Sequence, residues 1–366
     1  MFYNYSFDPK DPSNNHTFDI HNIDLAIVNG IRRIILTDIP IPAAIGEKLD
    51  DDEPTVEVIS NTGALHNEFI IHRVGLVPIC LTEEEIESYE DNSLVLELNV
   101  KNETNATINV TSKDFIAYMK GDKLTKDELL SIFPPNKVSK DHILITRLRT
   151  GESLHFTANI VKRTARENAS FNPVSLSNFS YIQNPEEASK YENINDKERC
   201  YYKDKYGDPY KYKFDIEYIN INVGPKYLIP KSLDIIVNKL SNIRHELIDT
   251  EKSDKIKVQQ FQDITSTYEF IIENEDDTIG NIIQSYLHNK YVREKKLFKK
   301  SINCSFAGYI CPHPLKSIMI IRITLENITD EGEFKIFLGD ICNEIIEEII
   351  NIKTNWNKFA IENNVS

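Results

Sequence analysis

The chain has 366 residues, 40% hydrophobic and 27% charged, enough for roughly two or three domains of ~150 residues and too apolar to be disordered as a whole. Its 42 basic and 57 acidic side chains give a net charge of −15; a protein devoted to gripping phosphates leans basic, so this balance favours a protein partner. No run approaches 18 uninterrupted apolar residues, so no membrane span is expected.

The first residues, "MFYNYSFDPKDPSNNHTF", lack a basic segment followed by an apolar one, so no secretory leader is expected. Accordingly the sequons at Asn105 and Asn109 are expected to stay unmodified, and Cys80, Cys200, Cys304, Cys311 and Cys342, odd in number and scattered, read as reduced thiols. "TFDIHN" (17–22) reads as a strand end leading into a helix, "LAIVNGIRRIIL" (25–36), which "DIPIP" (38–42) stops because proline forces its predecessor out of helical geometry. This helix sets two permanently charged guanidiniums, Arg32 and Arg33, inside an apolar run. Short strand-like runs follow over 43–60, and the Asp50, Asp51, Asp52, Glu53 cluster reads as a solvated turn.

Leu65, Phe69, His72 and Leu76 share one helical face in a helix expected over 64–75, with Gly75 as its stop. His72 there reads as a packed or interface histidine, since no Ser, Cys or Asp motif surrounds it. From 81 to 215 an acidic segment precedes strand-like runs at 93–100 and 142–148, and residues 181–213, rich in Tyr, Lys, Asn and Pro, read as long loops. This block has the texture of a mostly β insertion. Ile229, Leu233, Ile236, Leu240, Ile243 and Leu247 then mark a helix whose first turn suits Pro230.

Residues 248–262, mixed in charge and poor in apolar side chains, read as a linker. A strand at 267–274 leads to a helix capped by Asp277 or Thr278, two strands flank Pro312-His313-Pro314, and a long helix closes the chain. Its stripe is Phe334, Phe337, Leu338, Ile341, Ile345, Ile349, Ile352 and Trp356. At ~1.5–3 kcal/mol per buried large side chain, that stripe must dock. "VNGIRRIIL" and "GNIIQSYLH" form a near-repeat, each after a strand, each opening a helix, with Asn29 and Asn281 in like places. Two such units would pack as a pseudo-two-fold dimer.

With those motifs in place the chain resembles a known family. "NIDLAIVNGIRRIILTDIP" and "NTGALHNEFIIHRVGLVPI" are similar to the signature shared by the third-largest subunit of eukaryotic RNA polymerase II, the archaeal D polypeptide and the amino-terminal domain of bacterial α. Residues 142–173 resemble that subunit's inserted domain, and 267–356, with "EDDTIGNIIQ" and "FAGYICPHPLKSIMIIRI", resemble the small eleventh subunit and its archaeal L counterpart. Cellular polymerases carry these as two chains; one chain holding both is an arrangement of large DNA viruses.

The resemblance implies an α+β fold of two α-subunit-like dimerisation lobes in an intramolecular pseudo-dimer, with a mostly β insertion in the first. The expected division is 1–38 with 212–250 for the first lobe, 39–211 for the insertion, 251–263 for the linker and 264–366 for the second lobe. It further implies a non-catalytic platform for assembling a DNA-dependent RNA polymerase. Its partners would be the second-largest, catalytic-core subunit and small polymerase subunits, with DNA met only through the holoenzyme and no membrane involved. Arg32, Arg33, Glu68, Phe69, His72 and Arg73 would form the partner surface. Asn29, Ile31, Ile34, Leu240, Ile279, Asn281, Ile283 and Ile345 would line the lobe interface. The expected location is the host cytoplasm and the virion for a viral protein, with the nucleus as the alternative.

Many relatives carry a cysteine cluster after "GLVP"; here only Cys80 stands near, so no metal or other cofactor is expected. Cys304, Cys311 and His313 offer three nominal ligands but lack a fourth. No P-loop, G-x-G-x-x-G, H-E-x-x-H or polymerase Asp triad occurs, and no catalytic residue is assigned. The competing function is a stand-alone nucleic-acid-binding protein using "KRTAR" (162–166) and "KKLFKK" (295–300).

Overall fold

A computed structural model describes residues 1–10, 14–47, 53–248, 255–262, 264, 266–313, 315–326 and 328–365. Strands β1 (Phe2–Phe7) and β2 (Asn15–His21) lead into helix α1 (Leu25–Thr37). Asp24 caps α1 by accepting the Ala26 N–H at 2.8 Å, and its side chains Ile27, Val28, Ile31, Ile34 and Ile35 are buried. Next come β3 (Ile41–Ala43), β4 (Val56–Asn61), α2 (Asn67–Gly75), α3 (Glu83–Glu87), β5 (Leu94–Lys101), β6 (Ile108–Thr111), β7 (Ile116–Met119), β8 (Asp122–Lys123), α4 (Lys126–Ile132), β9 (Leu144–Leu148), β10 (Ser153–Asn159), β11 (Val161–Arg163) and β12 (Val174–Tyr181). After short helices α5 (Pro185–Ala188) and α6 (Ile194–Glu198), β13 (Lys211–Tyr218) precedes the long α7 (Pro225–Ile248). The last unit runs β14 (Ile256–Gln260), β15 (Thr267–Glu273), α8 (Asp277–Tyr286), a π-helical turn (Leu287–Arg293), β16 (Cys304–Ile310), β17 (Ile318–Leu325) and α9 (Glu331–Glu362).

Among the described residues, antiparallel pairing builds a sheet β1-β2-β13-β12, a five-stranded sheet β4-β10-β5-β7-β8, a sheet β14-β15-β17-β16, and the small pairs β3-β11 and β6-β9. The chain is thus α+β. Two sheet memberships correct the sequence reading. Residues 174–181, assigned by texture to the insertion, pair as β12 with β13 and so belong to the first sheet. Residues 256–260, assigned to the linker, pair as edge strand β14 with β15 and bury Ile256. In both cases the strand is defined by a partner distant in sequence or by one apolar side chain, signals that local composition does not carry.

Helix boundaries also move. Pro225 opens α7, which leaves Pro230 inside the helix rather than in its first turn. The cap of α8 is Asp276, accepting the Thr278 N–H at 2.8 Å, and Asp277 is already helical. Helix α2 begins at Asn67, and its inward side chains are Ile70 and Val74. The face of Phe69, His72 and Leu76 points to solvent, with Phe69 60% and Leu76 66% exposed. Periodicity marked the stripe but not its direction. That direction follows from a close backbone approach: a Cβ on Gly46 would stand 3.2 Å from the Ile71 carbonyl oxygen, and one on Gly75 3.3 Å from that of Ala44. The carboxylates at 50–52 lie outside the described residues.

Candidate protein-interaction surfaces

Two helix pairs join the unit built on the β1-β2-β13-β12 sheet to the unit built on β14-β15-β17-β16. α7 packs along α9, burying Leu233, Ile236, Leu240, Ile243 and Leu247 of one and Ile341, Ile345, Ile349, Ile352 and Trp356 of the other. Lys353 Nζ donates to Asp234 across this pair at 2.6 Å. Trp356 reaches the first sheet, its ring 5.0 Å from that of Phe2 and 4.8 Å from that of Phe18.

The second pair, α1 with α8, is reciprocal. Arg33 Nε donates to Thr278 Oγ1 at 2.8 Å, and the Arg33 guanidinium lies 3.6 Å from the cap Asp276. At the matching step of the near-repeat, Ser285 Oγ donates to the cap Asp24 at 2.9 Å, joined by Asn289 Nδ2 at 2.8 Å. Each helix therefore sends the same repeat position to the other's N-cap. Between them Gly30 faces Ile282, its repeat counterpart, so closely that a Cβ on Gly30 would stand 2.9 Å from Ile282 Cδ1. Ile31, Ile34, Ile279 and Ile283 are fully buried here, and Asn29 and Asn281 are half-buried. The sequence reading missed Gly30, Ile282 and both caps, although extending the two windows four residues toward the N-terminus pairs Asp24 with Asp276. The π-helical turn after α8 carries Asn289 to Asp24, and Tyr291 to Glu344 at 3.0 Å.

An ionic cluster closes the rim of this interface. Arg166 donates to Asp38 at 2.6 Å and to Asp276 at 2.8 Å, while Lys239 donates to Glu275 at 3.1 Å and lies 3.8 Å from Asp38. Burial alone would raise the Asp276 carboxyl; hydrogen bonds from Arg166 and the Thr278 N–H outweigh it and hold the pKa at about 2. A carboxyl depressed below its unfolded value of ~3.9 stabilises the fold above pH ~4, and that contribution is lost as pH falls through 2. The expected result is an acid-unfolding curve that drops between pH 4 and 2 by about 2 kcal/mol more in the natural chain than in Asp276→Asn, read by circular dichroism in urea.

The outward surface divides the two arginines. Arg32, half-buried, donates from Nε to its own helix, to Asn29 Oδ1 at 2.9 Å. Burial and the adjacent Arg33 lower its pKa, a cost that an external carboxylate would relieve. Arg33, expected beside it on the partner surface, instead turns to α8, because the Asp276 cap and Thr278 lie within its reach. On α2, Glu68, Phe69, His72 and Arg73 are exposed, and Arg73 is oriented by donating to the Ile145 carbonyl at 2.9 Å. Phe69 and Leu76 make an apolar stripe between these polar groups.

The basic clusters considered for nucleic acid are largely committed inside the chain. Lys162 donates to the Ile86 carbonyl at 2.7 Å, Arg163 pairs with Asp91 at 2.7 Å, and Arg166 serves the ionic cluster. Lys296 pairs with Glu344 at 2.6 Å and Lys299 with Glu333 at 2.8 Å. Cys304 and Cys311 bracket strand β16, which separates them by about 23 Å at ~3.3 Å per residue. They cannot share one ion.

Residues 267–355 match the RNA polymerase Rpb3/Rpb11 dimerisation domain. The chain is also similar to the DNA-directed RNA polymerases I and III subunit RPAC1 of Mus musculus, 28% identical over 183 residues, covering 45% of this chain and 50% of that protein. It is 27% identical over 181 residues to the DNA-directed RNA polymerases II, IV and V subunit 3 of Arabidopsis thaliana, covering 45% and 52%. A conjugation stage-specific protein of Tetrahymena thermophila is 28% identical over 178 residues, covering 44% and 54%. The chain spans about half the length of the curated relatives it matches.

Proposed function

We propose that this chain is a non-catalytic assembly platform of a DNA-dependent RNA polymerase, in which two dimerisation lobes form a pseudo-dimer within one polypeptide. The observation that carries the reading is the reciprocal pairing of α1 and α8. In a two-fold interface residue i of one unit meets j of the other and j meets i. Arg33 toward Asp276 and Ser285 toward Asp24 obey that rule, and Gly30 opposite Ile282 lies where an axis would pass. The match of the second unit to a dimerisation family supports the same arrangement. The first lobe comprises β1, β2, α1, β12, β13 and α7, the elements between α1 and β12 and between β12 and β13 form the insertion, and the second lobe begins at β14.

In this reading the outward groups receive the second-largest subunit. Phe69 and Leu76 supply apolar area, and Arg32, Glu68, His72 and Arg73 supply the charged rim that selects partner and orientation. Small polymerase subunits join the assembled platform, and DNA is met only by the holoenzyme. Both lobes in one chain fit a virus-encoded polymerase acting in the host cytoplasm and packaged in the virion; similarity to eukaryotic polymerase subunits favours the nucleus instead.

The test is purification of the tagged chain from its native cells under low salt, followed by mass spectrometry. The two largest polymerase subunits should co-purify in equal amount with the chain. Recovery of the chain alone, with polymerase activity in other fractions, would overturn the proposal.

A further inference from the structure

We propose that the insertion is a clamp that holds the second unit on the first, gripping α8 and its π-helical turn at both ends. Each of the insertion's two segments supplies one grip. At the N-terminal end Arg166, between β11 and β12, bridges Asp38 of the first unit at 2.6 Å and Asp276, the cap of α8, at 2.8 Å. At the other end Asp208, between β12 and β13, pairs with Arg293, the last residue of the π-helical turn. From Asp276 to Arg293 the gripped element spans roughly 25 Å at ~1.5 Å per residue.

A short hairpin builds the second grip. Asp204 Oδ1 accepts the Tyr206 N–H at 2.8 Å and the Asp208 N–H at 2.9 Å, and Gly207 takes φ +93°, which turns the chain back. The Asp204 N–H donates to the Asp208 carbonyl at 2.8 Å, and Lys203 pairs with Pro209 as an antiparallel bridge. Tyr206 and Asp208 therefore stand together at the tip, and Arg293 meets both: it pairs with Asp208, and its guanidinium lies 4.8 Å from the centre of the Tyr206 ring. The hairpin's Lys203 and Lys205 cancel Asp204 and Asp208, so its hold is this one pair and ring, not a general field of charge. A cleft of about 740 Å³ lies between the hairpin, the start of α1 and the π-helical turn, so the tip reaches across open space to make its contact. The Asp208 side chain is 55% exposed, which leaves the pair weak and open to screening by salt. The Arg166 grip is better shielded, with Asp38 7% exposed. The clamp thus has one firm jaw and one releasable jaw, and the hairpin opens first.

The test is hydrogen exchange of the full chain, read by mass spectrometry over 201–210, over α8 with its π-helical turn, and over α7 and α9. An exposed ion pair with one cation–π contact shifts an opening equilibrium by about threefold to thirtyfold. Asp208→Arg, which sets a cation against Arg293, should speed exchange about tenfold in both 201–210 and 287–293. Adding Arg293→Asp should bring both segments back to within about threefold of the natural chain. Salt at about 1 M should speed the same segments at least about threefold in the natural chain and less than about twofold in Asp208→Asn. Asp208→Asn combined with Arg166→Gln should loosen α8 as a whole more than either change alone, while α7 and α9 keep their natural exchange. The control Lys299→Gln, which removes an ion pair to Glu333 within the second unit, should change none of these segments. Faster exchange in the hairpin alone, a charge swap no better than Asp208→Arg, or an α8 that holds in the combined variant would overturn the clamp. So would equal gains in α7 and α9, which report a general loss of stability. The inference rests on contacts within the chain, so its failure leaves the polymerase reading standing.

Discussion

Expressed as two chains cut between Ile248 and Lys255, the protein should reassemble into a stable complex of its two units. The interface brings together five large apolar side chains from α7 and five from α9, together with the Phe2–Phe18–Trp356 aromatic group. At ~1.5–3 kcal/mol each, exposing even half of the α7 and α9 set costs about 10 kcal/mol, comparable to a small domain's entire margin of stability. Neither fragment is therefore expected to remain soluble alone, while co-expression should yield both in a single peak. Covalent linkage adds effective concentration of order mM rather than new contacts. Two variants sharpen the outcome. A second fragment beginning at 262 lacks β14, leaves β15 as a bare edge, and should recover poorly. Gly30→Leu, forced against Ile282 and Ile236, should weaken reassembly by about 1–3 kcal/mol through overpacking. Fragments that are each soluble, folded and monomeric when mixed would exclude the pseudo-dimer.

Arg32→Ala and Arg33→Ala should separate cleanly. Arg33 serves the α1–α8 contact, so its loss should lower the stability of the isolated chain by about 1.5–3 kcal/mol, the range for hydrogen bonds to charged groups. Among the described residues Arg32 bonds only within its own helix turn, so Arg32→Ala should leave stability within about 0.5 kcal/mol. The same variant should cost ~2–5 kcal/mol in binding the second-largest polymerase subunit, roughly 30-fold to several-thousand-fold in affinity. Phe69→Glu with Leu76→Glu should do at least as much damage, since both side chains are more than half exposed and touch the fold little. The measurement is co-purification of the large subunit with each variant beside its chemical unfolding curve. Normal co-purification of Arg32→Ala and of the Phe69, Leu76 double variant would move the partner surface elsewhere.

Much of the architecture follows from local pattern alone. The apolar stripes of α7 and α9 repeat at intervals of three and four and are buried as a sequence of that period demands. Strands at 94–101, 267–273, 304–310 and 318–325 lie within a residue or two of their expected places, because alternation and flanking turns are local signals. The near-repeat windows fall in α1 and α8, and Ile31, Ile34, Leu240, Ile279, Ile283 and Ile345 are all fully buried.

What the sequence by itself determined, then, is where helices and strands form and which stripe of each long helix is apolar, since those depend on neighbours within a few residues. Tertiary structure decided the rest. Whether Phe69 and Leu76 face the core or water depends on which stripe of α2 meets its neighbours, and the Gly46–Gly75 contact with Ile70 and Val74 settles that. The sheet that β12 joins depends on β13, thirty residues further along the chain and invisible to any window. The division of the double arginine depends on Asp276 and Thr278, far away in sequence and adjacent in space. A guanidinium's role is set by the carboxylate or hydroxyl within about 3 Å of it, and only the folded chain brings one there.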